Sequence, residues 1–115
     1  MKIAIVGPCA AGKTTLARRL CALGYDAHDI AQEHSLAPTM WRELTQPDVM
    51  VCLDASLETI RRRLQVDWDQ DYLDELNRRV ADAKAHADFV LETDHLSEEQ
   101  VVEQVLQFVQ GLPDA

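Results

Sequence analysis

The segment that most constrains this chain spans residues 7–14, with the sequence GPCAAGKT, and matches the pattern GxxxxGK[ST]. An apolar, β-branched run over Met1 to Val6 precedes it, and a stretch with helical periodicity from Lys13 to Leu23 follows. Gly7 and Gly12 permit backbone angles that a side chain would forbid, so successive N–H groups can turn inward. The segment therefore predicts a tight loop that joins a buried strand to a helix.

This loop has the chemistry of a phosphate-binding site, because inward N–H groups and the positive end of a helix attract anions. We expect Lys13 to reach the β- and γ-phosphates of a nucleotide and the Thr14 hydroxyl to ligate Mg²⁺. A chance match within 115 residues has odds of roughly one in several hundred. The predicted nucleotide-binding residues are Gly7, Pro8, Cys9, Ala10, Ala11, Gly12, Lys13, Thr14 and Thr15.

The cysteine within the loop has two interpretations. Cys9 could be a reactive thiolate, since a helix N-terminus lowers a thiol pKa, or it could be a small residue that fits the loop. A phosphatase of the C-x5-R type needs an arginine six positions later, where Thr15 stands. The phosphatase interpretation therefore fails, and the small-residue interpretation is favoured.

Composition limits the partners. The chain has 115 residues, enough for one domain, with 11 Lys plus Arg against 20 Asp plus Glu and a net charge of -9. Such a charge disfavours nucleic acid and anionic membranes, so a phosphate binder must concentrate its few cations. Three cysteines without CxxC spacing indicate neither a disulfide framework nor a zinc site. We expect a cytoplasmic protein with no nucleic-acid or membrane partner.

Apolar strand patterns alternate with helical ones along the chain, which predicts an α/β fold with a parallel sheet covered by helices. Ser56, Asp69 and Ser97 are predicted helix caps, the last within a capping box that includes Gln100. The predicted strands are Met1 to Val6, Tyr25 to Ile30, Val49 to Leu53 and Asp88 to Glu92. A short helix over Thr39 to Leu44 is the one element expected in the irregular stretch from Ala31 to Pro47.

The loop, followed by Thr15, resembles that of the small P-loop kinases, the group containing nucleoside monophosphate, shikimate and dephospho-coenzyme A kinases. Residues 48–63 are similar to that family's fourth strand and arginine-bearing helix, and residues 87–102 to its final strand and helix. Family members usually have five parallel strands, of which four are evident here. The resemblance therefore implies a three-layer P-loop fold with a mainly parallel four-stranded sheet in the order 2-1-3-4.

A carboxylate linked to Mg²⁺ should lie at the carboxyl end of a strand near the loop. Asp29 ends the second strand and is the first choice, either for Mg²⁺ or for orienting an acceptor hydroxyl. A helix cap or a turn cap is the alternative role for Asp29. Asp26 and Glu33 are weaker candidates. Asp54 follows the third strand and competes for the metal role, but it is interpreted mainly as the cap of the helix that follows it.

Three consecutive arginines, residues 61–63, follow the third strand. They point in different directions on a helix, so at most two can face a transferring phosphate. The resemblance implies lid arginines here, and Arg61 and Arg62 are assigned that catalytic role. Solvated pairing with Glu58 or Asp67 is the alternative. The resemblance also implies that residues 93–95 contact the base.

Two functions remain open. The first is a phosphotransferase that moves the γ-phosphoryl of Mg-ATP, with GTP not excluded, to an unidentified small-molecule acceptor. The residues assigned to catalysis are Lys13, Asp29, Arg61 and Arg62, and those assigned to Mg²⁺ are Thr14 and Asp29. The second is a catalytically degenerate nucleotide-binding module that acts as a sensor or a partner of another protein. The short acceptor region, residues 31–47, and lid, residues 65–70, favour the second, and a homodimer could complete its site.

Overall fold

A computed structural model describes residues 1–8 and 11–113, and its centre is a parallel four-stranded sheet. The strands are β1 (Lys2–Val6), β2 (Asp26–Asp29), β3 (Val49–Asp54) and β4 (Phe89–Glu92). Their order across the sheet is β2-β1-β3-β4, and every neighbouring pair is parallel. The predicted α/β class and the strand order 2-1-3-4 are confirmed.

Helices cover both faces of the sheet. They are α1 (Lys13–Ala22), α2 (Met40–Thr45), α3 (Leu57–Leu64), α4 (Gln70–Ala85) and α5 (Glu98–Gln110). Alternate residues of a strand point to opposite faces. Ile3 and Ile5 of β1 accordingly pack in one core with α1 and α5, whereas Ala4 and Val6 pack in another with α2 and α4. Both faces of β1 are thus buried, which explains its continuous apolar run.

Helix starts follow the local signals in the sequence. Ser56 accepts a hydrogen bond from the Thr59 backbone N–H at the start of α3, and Asp69 accepts one of 2.9 Å from the Tyr72 N–H at the start of α4. The capping box predicted for Ser97 is present at α5. The three predicted caps are therefore confirmed.

The stretch between β2 and β3 contains more structure than its sequence predicts. A 3-10 turn over Gln32–His34 precedes α2, and the side chains of Gln32 and Glu33 are buried. These polar residues interrupt any apolar periodicity, so the pattern gave no signal for the turn. Within residues 1–8 and 11–113, no helix is long and apolar enough to cross a membrane.

Candidate nucleotide-binding site

The loop lies at the carboxyl end of β1. The next strand along the chain, β2, lies on one side of β1, and the strand after it, β3, lies on the other side. β2 is hydrogen-bonded to one edge of β1 and β3 to the other. In open parallel sheets, the crevice at such a change of direction is where ligands bind. The tertiary structure therefore places the glycine-containing loop at the favoured position for a ligand.

Both loop glycines are required by the backbone. Gly7 has a φ of 148°, and a Cβ at this position would lie 2.1 Å from the carbonyl oxygen of Leu53. Gly12 has a φ of 101° and is the residue from which α1 starts. Cys9 and Ala10, two of the predicted binding residues, lie outside the described residues.

Lys13 is held by acceptors on the protein. Its Nζ donates to the carbonyl oxygens of Gly7 at 2.6 Å and Pro8 at 3.5 Å, and it forms an ion pair with the carboxylate of Glu33. The Lys13 side chain is 10% exposed and that of Glu33 is 2% exposed. The loop lysine is thus paired with a buried carboxylate, and Glu33 is a more prominent member of the site than the sequence indicated.

Thr14 and Asp29 meet at the carboxyl ends of β1 and β2. The Thr14 hydroxyl donates to Asp29 Oδ2 at 2.9 Å. Asp26, at the opposite end of β2, instead forms a 2.7 Å contact with His28 on the surface. Of the two aspartates of β2 proposed for the metal, Asp29 is therefore the one beside the loop.

A hydroxyl and a carboxylate in contact form a donor set suited to Mg²⁺, which takes oxygen ligands. Mg²⁺ is ordinarily held by one or two protein groups, with phosphate oxygens and waters completing its octahedron. In the described part of the chain, no group of three or more His, Cys, Asp or Glu residues could hold a metal ion by itself. Thr14 and Asp29 fit a metal that arrives together with phosphate.

The 3-10 turn that carries Glu33 is anchored from behind. Arg79 of α4 donates to the Glu33 carbonyl oxygen at 3.2 Å, and the Trp41 backbone N–H donates to the Gln32 side chain at 2.9 Å. Trp41 is itself tied to α4, since its indole N–H donates to Asp82 at 3.0 Å. These contacts fix the backbone of Glu33 against α2 and α4.

The structure brings Arg63 to the loop. Its guanidinium donates to the Thr93 hydroxyl at 3.1 Å and to the Thr93 carbonyl at 2.7 Å, and it lines both cavities beside the loop. Arg61 instead donates to the Trp68 carbonyl at 2.6 Å. Among the described residues, neither Arg61 nor Arg62 lines these two cavities. Successive residues turn by about 100° around a helix, which explains the difference.

In the described part of the chain, two cavities adjoin the loop. The smaller has a volume of about 250 Å³ and lies between the start of α1 and the segment that joins β4 to α5. The larger has a volume of about 660 Å³ and extends from the loop to the 3-10 turn. The smaller is lined in part by Leu16, Arg63, Thr93, Leu96, Ser97 and Val101, and the larger in part by Lys13, Thr14, Asp29, Glu33, His34 and Arg63.

Two acidic residues considered for the site have structural partners. Asp94 accepts a 2.8 Å hydrogen bond from the Ser56 N–H. Burial acts to raise the pKa of Asp94, but hydrogen bonds from Ser56 and Thr59 outweigh it, and the pKa lies below the usual 3.8. Asp54 forms an ion pair of 2.6 Å with Lys84, and Ser56 rather than Asp54 caps the following helix.

Comparison with known proteins does not assign this chain to a family. The chain matches no protein-family model, and no curated protein matches its sequence. The geometry around the loop, and in particular the contacts of Lys13, Thr14 and Asp29, is therefore the basis for a functional proposal.

Proposed function

We propose that this protein is a small P-loop kinase that binds Mg-ATP and transfers the γ-phosphoryl group to a small-molecule acceptor. The observation that carries the proposal is the 2.9 Å contact between Thr14 and Asp29, made beside Lys13 at the start of α1. It combines an oxygen ligand set for Mg²⁺, a cation and a helix N-terminus at one point. In a chain of net charge -9, Lys13 and the N-terminus of α1 thereby supply positive charge at the loop.

Residues of the loop and of neighbouring elements would each contribute to phosphoryl transfer. Backbone N–H groups and Lys13 would hold the β- and γ-phosphates, and Thr14 and Asp29 would hold Mg²⁺. When bound, Mg²⁺ neutralises charge on the β- and γ-oxygens. Arg63 lines both cavities and would be the arginine that stabilises the transferring group, a role that the resemblance to the small P-loop kinases implied for Arg61 and Arg62.

The smaller cavity suits a base. Its apolar lining includes Leu96 and Val101, and Thr93 and Ser97 supply polar groups. Such a mixture of apolar walls and a few polar groups is typical of small-molecule pockets. We assign this cavity to adenine, with guanine as the alternative, and the larger cavity to the acceptor.

A nucleotide-binding module without turnover is the second candidate, and the openness of the acceptor side favours it. Residues 65–69 alone join α3 to α4, so there is little chain to form a lid and exclude water. A second copy of the chain in a homodimer could close the larger cavity. A cytoplasmic location fits either candidate, since Cys21 and Cys52 are free thiols.

Calorimetric titration with Mg-ATP, Mg-GTP and Mg²⁺ alone tests the nucleotide site. Lys13→Met should abolish nucleotide binding. Lys84→Met is the matched control, because it also removes a lysine paired with a carboxylate, but one that is not among the residues lining the two cavities beside the loop. Unimpaired binding by Lys13→Met would refute the proposal.

Turnover is tested by ADP formation across a panel of small hydroxyl and carboxylate acceptors. ADP release that depends on one acceptor supports the kinase. Nucleotide binding without any acceptor-dependent ADP release supports the binding module, because the nucleotide site would then be intact and the acceptor side incomplete.

A further inference from the structure

In the ion pair with Glu33, the Lys13 ammonium is already engaged, although it is the group expected to bind the phosphates of a nucleotide. A lysine ammonium has three N–H donors. In this structure they face the Glu33 carboxylate and the carbonyl oxygens of Gly7 and Pro8. A phosphate oxygen that binds Lys13 must therefore displace one of these acceptors.

Glu33 is the acceptor whose charge competes with phosphate. The carbonyls of Gly7 and Pro8 are neutral parts of the loop itself, whereas Glu33 contributes a full negative charge from a separate segment, 20 positions along the chain. A phosphate and this carboxylate repel each other and seek the same ammonium. The two anions are therefore alternatives at Lys13.

Lys13 is the partner that can move. The backbone of Glu33 is held by Arg79, and the neighbouring Gln32 is held by Trp41. Lysine has a flexible four-carbon stem, so rotation of its side chain separates the pair without unfolding the turn. Separation leaves the Glu33 carboxylate in a buried position without its cation, which is costly.

Resting on the nucleotide site proposed above, we propose that Glu33 is a displaceable counter-ion of Lys13. It positions the lysine in the nucleotide-free protein and lowers the affinity for phosphate. The affinity of the site is thus set by a residue outside the loop motif. Nucleotide binding includes the cost of separating this pair.

Replacing Glu33 with glutamine tests the inference, because Glu33→Gln keeps the shape of the side chain and removes its charge. Calorimetric titration would use Mg-ATP and tripolyphosphate, the second probe lacking a base. We expect Glu33→Gln to bind both about tenfold more tightly than the natural chain, a change of about 1.4 kcal/mol. Glu98→Gln is the matched control, since Glu98 is a carboxylate that lines both cavities but is not among the partners of Lys13. Its gain should be smaller, and the comparison is made with tripolyphosphate, which does not occupy the base cavity.

Each outcome separates this inference from the proposed function. Tighter binding by Glu33→Gln than by the natural chain and by Glu98→Gln supports the counter-ion role. Equal or weaker binding by Glu33→Gln, with clear binding by the natural chain, overturns that role and leaves the nucleotide site standing. Absence of binding in both proteins overturns the two together.

A second variant covers the case in which Glu33→Gln does not fold, as judged by circular dichroism. Glu33→Asp keeps the charge but is one methylene shorter, so its carboxylate withdraws from Lys13 Nζ. We expect tighter nucleotide binding than in the natural chain, by less than for glutamine. Affinity equal to or below that of the natural chain would overturn the inference.

Discussion

The hydroxyl of Thr14 donates a 2.9 Å hydrogen bond to Asp29, although the two residues lie 15 positions apart. The contact exists because β2 pairs in parallel with β1, with Ile5 opposite Asp29, so that the strand ends coincide at the loop. A sheet in which another strand took the place of β2 at that edge of β1 would separate the two side chains. The strand order therefore creates the candidate metal site.

We expect Asp29→Asn to weaken the binding of Mg²⁺ with nucleotide by about ten- to a hundredfold, because a ligand or a partner of a ligand loses its charge. Asp26→Asn is the control, since it removes the same charge from the other end of β2. Titration of Mg²⁺ at fixed ATP measures the effect. Equal losses in the two variants would indicate a general charge effect and contradict a metal role for Asp29.

The two loop glycines should differ in their tolerance of alanine. Gly7→Ala combines a strained backbone with a clash against the Leu53 carbonyl, whereas a Cβ at Gly12 meets nothing within 4 Å and only the backbone is strained. Strained backbone positions cost about 1–3 kcal/mol each. We expect Gly12→Ala to lower the free energy of unfolding by that amount and Gly7→Ala by more, in urea denaturation without nucleotide. The reverse ranking would contradict the close approach of Gly7 to β3.

The three arginines of α3 should contribute unequally. Arg63→Gln is expected to lower nucleotide affinity and, if the protein is a kinase, ADP formation, because Arg63 lines both cavities. It should also lower the free energy of unfolding by about 1.5–3 kcal/mol through its lost hydrogen bonds to Thr93. Arg61→Gln and Arg62→Gln are the controls. A larger loss of affinity in either control would return the catalytic role to the sequence-based assignment.

Alkaline pH should destabilise the chain through Cys52. Burial, assisted by the charge of Asp54, raises the pKa of this thiol from 9.0 to about 12. The unfolded chain therefore releases the thiol proton first, so stability is fully present below pH 9 and is lost as the pH rises from 9 toward 12. We expect the titration of Cys52 to lower the free energy of unfolding by about 2–4 kcal/mol between pH 9 and pH 12.

Cys52→Ala measures that contribution. Its free energy of unfolding should be lower than that of the natural chain at pH 7, because a buried group is shortened, and should fall less steeply between pH 9 and 12. Parallel pH profiles for the two proteins would show that Cys52 does not titrate on unfolding. Cys21→Ala is the control, since Cys21 is exposed.

Features set by neighbours along the chain were predictable from the sequence alone. The capping box joins Ser97 to Gln100, three residues later, and Asp69 caps through the N–H of Tyr72. The glycines at positions 7 and 12 indicated backbone angles that a side chain would forbid, and both residues have a positive φ in the structure. Alternating strand and helix patterns determined the α/β class in the same way, because the hydrophobic period of each element is local.

The tertiary structure alone decided which side chains meet across the site. Glu33 joins Lys13 because a 3-10 turn without apolar periodicity packs against α2 and α4, and Asp54 joins Lys84 across 30 positions of the chain. Arg63 reaches Thr93 because of the rotation of α3 against β4, which three adjacent arginines do not encode. Such contacts depend on strand order, helix rotation and the path of an irregular segment, and each of these is set by packing between residues distant in the sequence.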